Sequence, residues 1–148
     1  MPGNIKLKLY LDSGVLLSLL RDEEANGVRL GENVAKLLYE AAEGKYQVLV
    51  SEHTAAELVA AGAPREYVDQ VLRPMMLLHG GDLLVANESI IIGALKLSRT
   101  YEIPFLRALH VVFAHRNNAL IVTRDMNTML NVRSFAGIMS PEDLISMG

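Results

Sequence analysis

Apolar and polar positions along this chain switch repeatedly between a period of two and a period near 3.6, and the switches mark out alternating strands and helices. From Ile5 to Leu11, lysines alternate with Ile, Leu and Leu before the run turns wholly apolar. That pattern predicts a strand half-buried at its start and fully buried at its end. Asp12 or Ser13 then caps a short helix over Val15–Leu20, and Arg21 to Gly31 reads as a charged loop containing Gly and Asn. Glu32–Glu43 carries Val34, Leu37, Leu38 and Ala41 at helical spacing and stops at Gly44. A second strand, Tyr46–Val50, leads into a helix from Glu52 to Ala61, which Gly62-Ala63-Pro64 terminates.

The middle of the chain is helical. Pro64 opens a helix through Val68, Val71 and Leu72, and Pro74 is expected to kink or restart it before His79-Gly80-Gly81. Asp82–Val85 reads as a short strand, and Ala86-Asn87 caps a long helix to about Arg99. Pro104 suits the first position of another helix, with apolar positions at Phe105, Leu106, Leu109, Val112 and Phe113. Asn117-Asn118 ends that helix and the strand Ala119–Val122 begins at once. A short segment around Asn127–Asn131, a last strand over Gly137–Met139 and a helix opening at Ser140-Pro141-Glu142-Asp143 complete the pattern. Nearly unbroken apolar strands alternating with helices predict an α/β sandwich around a parallel sheet. The 148 residues suit one domain, 1–148.

Composition narrows the chemistry more than the fold. Hydrophobic residues make up 51% and aromatics 5%, so the core is expected to be aliphatic. A net charge of −3 argues against a general electrostatic grip on nucleic acid, though not against a metal-dependent nuclease, whose site is itself anionic. With no cysteine, disulfides, zinc–thiolate sites and thiol catalysis are excluded. No apolar stretch approaches the ~18–20 residues of a membrane span. Met1-Pro2-Gly3-Asn4 runs straight into a strand pattern, unlike a signal peptide, so the expected location is the cytoplasm.

Several predicted strands end in acids or hydroxyls. Ile5–Leu11 leads into Asp12-Ser13, Tyr46–Val50 into Ser51 and then Glu57, and Ala119–Val122 into Thr123-Arg124-Asp125. Open parallel sheets bind ligands at the carboxyl ends of their strands, and gathered carboxylates there form an oxygen cage suited to Mg²⁺ or Mn²⁺. Each acid also has an ordinary role: Asp12 as a helix cap worth ~1 kcal/mol, Glu57 as a helical surface glutamate, Asp125 as a turn residue. In an unrelated α/β domain those roles would suffice. Ala55, Ala56, Ala60 and Ala61 leave room for Glu57 to turn inward, and Thr123 can donate to a carboxylate. His110 lies one turn after Arg107 among Leu109, Val111 and Val112, which favours a structural histidine over a general base. His53, His79 and His115 lack the spacing of a zinc-binding helix.

Taken in order, these motifs are more specific than any one of them. A strand ending Leu-Asp-Ser, then Val-Ser-x5-Glu-Leu, an x-Ala-Leu-His helix and Ile-Val-Thr-Arg-Asp together resemble the PIN domain, most closely the VapC toxins of toxin–antitoxin pairs. The resemblance implies a three-layer α/β/α fold and a Mg²⁺- or Mn²⁺-dependent endoribonuclease acting on RNA. It also implies a homodimer, for which the apolar helix Val68–Leu78 offers a surface, and an antitoxin partner. Matched position by position, it assigns Asp12, Glu57 and Asp125 as catalytic and metal-holding acids, with Ser13 and Thr123 in support. At the remaining acidic position stands Arg107, and the nearest acid, Glu102, is five residues earlier across Pro104. Four acids would carry −4; three acids and one arginine sum to −2, enough for one ion at most. Arg107 can swing out toward a phosphate, or pair with Asp12 or Asp125 and replace the metal. Two functions therefore stand side by side: a weakened ribonuclease, and a catalytically silent module that binds RNA or a protein partner.

Overall fold

A computed structural model describes residues 7–78, 83–126, 130–133 and 136–147. Strand β1 (Leu7–Leu11) is paired in parallel on both edges, with β4 (Tyr46–Leu49) on one side and β5 (Leu120–Val122) on the other. Strand β6 (Ile138–Met139) adds in parallel beyond β5, so the sheet runs β4-β1-β5-β6. The two-residue pleat divides the core. Leu9, Leu11 and Val122 face one layer, built from α1 (Ser13–Leu20), α2 (Leu30–Ala42), α3 (Glu52–Ala60), α4 (Arg65–Leu78) and α7 (Pro141–Met147). Tyr10 and Ile121 face the other, built from α5 (Glu88–Tyr101) and α6 (Phe105–Arg116). The result is the expected three-layer α/β sandwich, with the carboxyl ends of β4, β1 and β5 side by side.

Four local features depart from the sequence expectations. The Arg21–Gly31 loop contains a hairpin, β2 (Glu24–Ala25) with β3 (Val28–Arg29), turned by Asn26-Gly27 with φ of 51° and 80°. Positive φ at both positions is what an Asn-Gly two-residue turn supplies, so this hairpin was legible in the dipeptide. Helix α4 runs through Pro74 without a restart, because one interior proline removes a single hydrogen bond without having to end a helix. Val68 and Leu72 of that helix are buried in the core, so they are not free for a homodimer contact. Of the predicted strand Asp82–Val85, Asp82 lies outside the described residues, and the remainder contributes one isolated parallel bridge, Leu84 to Ser51, beside β4. Pro104 caps α6 from outside, and the helix starts at Phe105. His79-Gly80-Gly81 and most of the Asn127–Asn131 segment fall outside the described residues, whereas Leu130–Val132 forms a 3₁₀ turn.

One side chain ties the first layer together. Arg124 donates from Nε to Ser18 Oγ (2.8 Å), from Nη2 to the Leu30 carbonyl (3.1 Å) and from Nη1 to Glu142, whose other oxygen accepts from Asn33 (3.1 Å). Burial pushes the Glu142 carboxyl up, but the bonds from Arg124 and Asn33 outweigh it and hold it below the ordinary value. Arg124→Met keeps the stem and removes the donors from α1, α2 and α7 at once. The expected loss is roughly 2 kcal/mol, read as a lower urea midpoint at unchanged slope. A midpoint equal to wild type would show that the fork is only a surface decoration.

Candidate active site

Asp12 follows β1 directly, and its N–H bonds the Val122 carbonyl (3.2 Å), which fixes it at the sheet end. Its two carboxylate oxygens do different things. Oδ1 accepts from the Val15 N–H (3.2 Å) and caps α1; Oδ2 accepts from the Thr123 hydroxyl. The capping role and the inward-facing role therefore coexist. Only 1% of Asp12 is exposed, and this burial pushes its carboxyl up against the opposing pull of Thr123, His110, the Val15 N–H and Arg107. Thr123 in turn accepts from the Asp125 N–H (2.9 Å), so one hydroxyl links both aspartates.

Arg107, in the first turn of α6, closes this group. Its Nε lies 3.1 Å from Asp125 Oδ2 and its Nη1 3.9 Å from Asp12 Oδ2. The guanidinium thus sits between two of the three acids assigned above to a metal ion.

The third acid faces a different set of partners. Glu57, one and a half turns into α3, is half-buried and accepts a hydrogen bond from Ser13. Its Oε1 is 2.5 Å from Nε2 of the fully buried His110, and its Oε2 is 3.5 Å from Nε2 of His53. Burial pushes the Glu57 carboxyl up, but the hydrogen bond and charge of His110, with His53, bring it below the ordinary value. Behind His110, Nδ1 lies 2.7 Å from the Tyr10 hydroxyl, which reaches Ser51 Oγ at 2.8 Å. Tyr10 is stacked on Phe113 inside the core, and burial pushes its phenol far up, so it stays a neutral hydroxyl.

All six residues predicted from sequence therefore gather at one end of the sheet: Asp12, Ser13, Glu57, Arg107, Thr123 and Asp125. Sequence reasoning missed the buried polar chain Ser51–Tyr10–His110–Glu57 and the approach of His53. The available signals were His53 four residues before Glu57 on one helix, and His110 three after Arg107.

As arranged, Asp12 and Asp125 hold a guanidinium and Glu57 holds imidazoles. A hard divalent ion needs several oxygens directed at one point, with no cation among them. This arrangement does not fit Mg²⁺ or Mn²⁺ unless Arg107 leaves.

A sequence profile described as the PIN domain matches residues 9–132. No curated protein matches the chain significantly in sequence. Among solved structures, a toxin–antitoxin complex from Klebsiella pneumoniae superimposes with a TM-score of 0.64 at 18% identity, over 90% of this chain and 97% of that one. FitAcB from Neisseria gonorrhoeae gives 0.61 at 20% identity, over 90% and 98%. VapBC2 from Rickettsia felis, bound to a DNA fragment from its promoter, gives 0.66 at 13% identity, also over 90% and 98%. At these identities the likeness is one of fold. The profile match covers most of the chain, and the strand-end acids, strands β4 and β5 and the x-Ala-Leu-His helix all lie within it: this protein belongs to the PIN domain family.

Proposed function

We propose that the chain is a VapC-like protein of the toxin type, directed at RNA, whose acid centre is held shut by Arg107. Mg²⁺- or Mn²⁺-dependent endoribonuclease activity is then weak, with at most one ion at Asp12, Glu57 and Asp125. The reading places the protein in the cytoplasm as a homodimer with an antitoxin-type protein partner. The observation that carries it is the Arg107 guanidinium between Asp12 and Asp125 in an otherwise complete PIN framework. Thr123 and the α1 cap hold the Asp12 carboxylate, Ser13 bonds Glu57, and Thr123 anchors the Asp125 backbone, so the framework that positions the three acids is kept.

The experiment is cleavage of a panel of structured and single-stranded RNAs with Mg²⁺ or Mn²⁺, by wild type, Arg107→Asp and Asp12→Asn. Wild type should cleave slowly, Arg107→Asp at least about tenfold faster, and Asp12→Asn not at all. Vigorous wild-type cleavage that Arg107→Asp does not improve would overturn the closed-centre reading. The same ion pair also favours a second reading, a silent PIN module that binds RNA or a protein without hydrolysis. That reading wins if Arg107→Asp binds RNA but remains unable to cut it.

A further inference from the structure

We propose that His53, Glu57 and His110 form a separate site for a borderline divalent ion of the zinc class, clamping α3 to α6. The ligand set is two imidazoles and one carboxylate, a combination that suits Zn²⁺ rather than Mg²⁺. The three donor atoms already lie within 4.8 Å of one another. Tetrahedral Zn²⁺ with bonds of ~2.0–2.1 Å sets its ligands roughly 3.3 Å apart, so rotations of the side chains by about an ångström or so complete the site. The His53–Glu57 separation of 3.5 Å is near that value as it stands.

Three further observations point the same way. His53 Nε2 is buried and has no hydrogen-bond partner, an orphaned lone pair or proton facing Glu57. The ring is oriented by a hydrogen bond to the Leu106 backbone, and with Nε2 unpartnered this must come from Nδ1–H. A ligating histidine usually donates its remote N–H to a carbonyl in this way, leaving the other nitrogen for the ion. His110 is also tied down on its far side: its Nδ1 lies 2.7 Å from the Tyr10 hydroxyl, which also contacts Ser51 Oγ, so Nε2 is the nitrogen that faces the cluster. The side chains of His53 and Glu57 are 15% and 22% exposed, so the cluster lies just under the surface.

The site shares only Glu57 with the acid centre and does not depend on the ribonuclease reading. When filled, it holds Glu57 away from Asp12 and Asp125. The test is calorimetric titration of untagged, chelator-treated full-length protein with Zn²⁺, and visible absorption with Co²⁺ as the probe. Wild type should bind one Zn²⁺ per chain and give the intense bands of tetrahedral Co²⁺. His53→Ala should weaken Zn²⁺ binding by at least about tenfold and bleach the bands. Glu57→Gln serves as a second ligand variant should His53→Ala fold poorly. Substoichiometric binding, a weak octahedral Co²⁺ spectrum, or wild-type affinity retained in both His53→Ala and Glu57→Gln would each overturn the proposal. No arm of this test reads RNA cleavage, so a protein silent on RNA leaves it standing.

Discussion

Arg107→Asp should tighten Mn²⁺ binding at the Asp12–Asp125 centre by about two orders of magnitude or more. A guanidinium held ~5 Å from a divalent cation repels it by about 6–7 kcal/mol at an effective dielectric of ~20. Arg107 is one-third exposed and can swing aside at some cost, so the measured gain is smaller than that ceiling. Removing the repulsion and adding a fourth carboxylate act in the same direction. The substitution has a second face. Without metal, buried Asp12 loses a counter-charge and gains a like charge nearby, so the chelated variant should be roughly 2 kcal/mol less stable than wild type. Mn²⁺ should restore the lost melting temperature, because an ion that binds only the folded state stabilises it by mass action. Calorimetry and thermal melts with and without chelator measure both halves. An unchanged Mn²⁺ affinity would remove the charge argument and with it the reason for a closed centre.

His110→Leu should be the most destabilising single change in the site, at about 3 kcal/mol. The leucine preserves volume but strips a partner from the Tyr10 hydroxyl and from the Glu57 carboxylate, both within a region of low exposure. Tyr10→Phe should cost less, about 1 kcal/mol, since Ser51 and His110 are left with alternative contacts. Because the two residues share one hydrogen-bonded chain, the double variant should lose clearly less than the sum, and urea unfolding of all four proteins measures that coupling. Strict additivity would mean that the chain is a set of independent contacts. The pH dependence has a definite sign. Glu57 titrates below its ordinary value in the fold, so its contribution is present above the unfolded carboxylate pKa of ~4.3 and is lost as pH falls through the folded value. His110→Leu should flatten that acidic limb.

Residue patterning carried the fold because each element obeys a local rule. The apolar run into Asp12, the Gly44 stop and the Ser140-Pro141 helix start are all decided within a few residues of where they act. Ser140 Oγ accepts from the Asp143 N–H at 3.1 Å, as the start signal requires. The acids were legible for a related reason, since strand ends in a parallel sheet converge and their order along the chain is the motif. What sequence did not disclose lies at long range. Nothing local couples Tyr10 to His110 across the sheet, and an imidazole among Leu109, Val111 and Val112 looks the same with or without a carboxylate facing it. Likewise Thr123-Arg124-Asp125 gives no hint that its middle residue turns away to bind Leu30 and Glu142. The Asn26-Gly27 hairpin and the i,i+4 pair His53–Glu57 are omissions that a local rule would have caught.

The placement of β1 between a near and a distant neighbour in sequence also bears on how the protein is made. β4 can pair with β1 early during synthesis, but the opposite edge of β1 stays open until β5 emerges. The Thr123–Asp12 contact spans 111 residues and the Tyr10–His110 contact spans 100. Until both close, the nascent chain has a half-sheet with an exposed apolar edge and no assembled centre at all. Assembly of the strand-end group therefore waits for β5, and the same interval is when β1 is most open to mispairing with another copy.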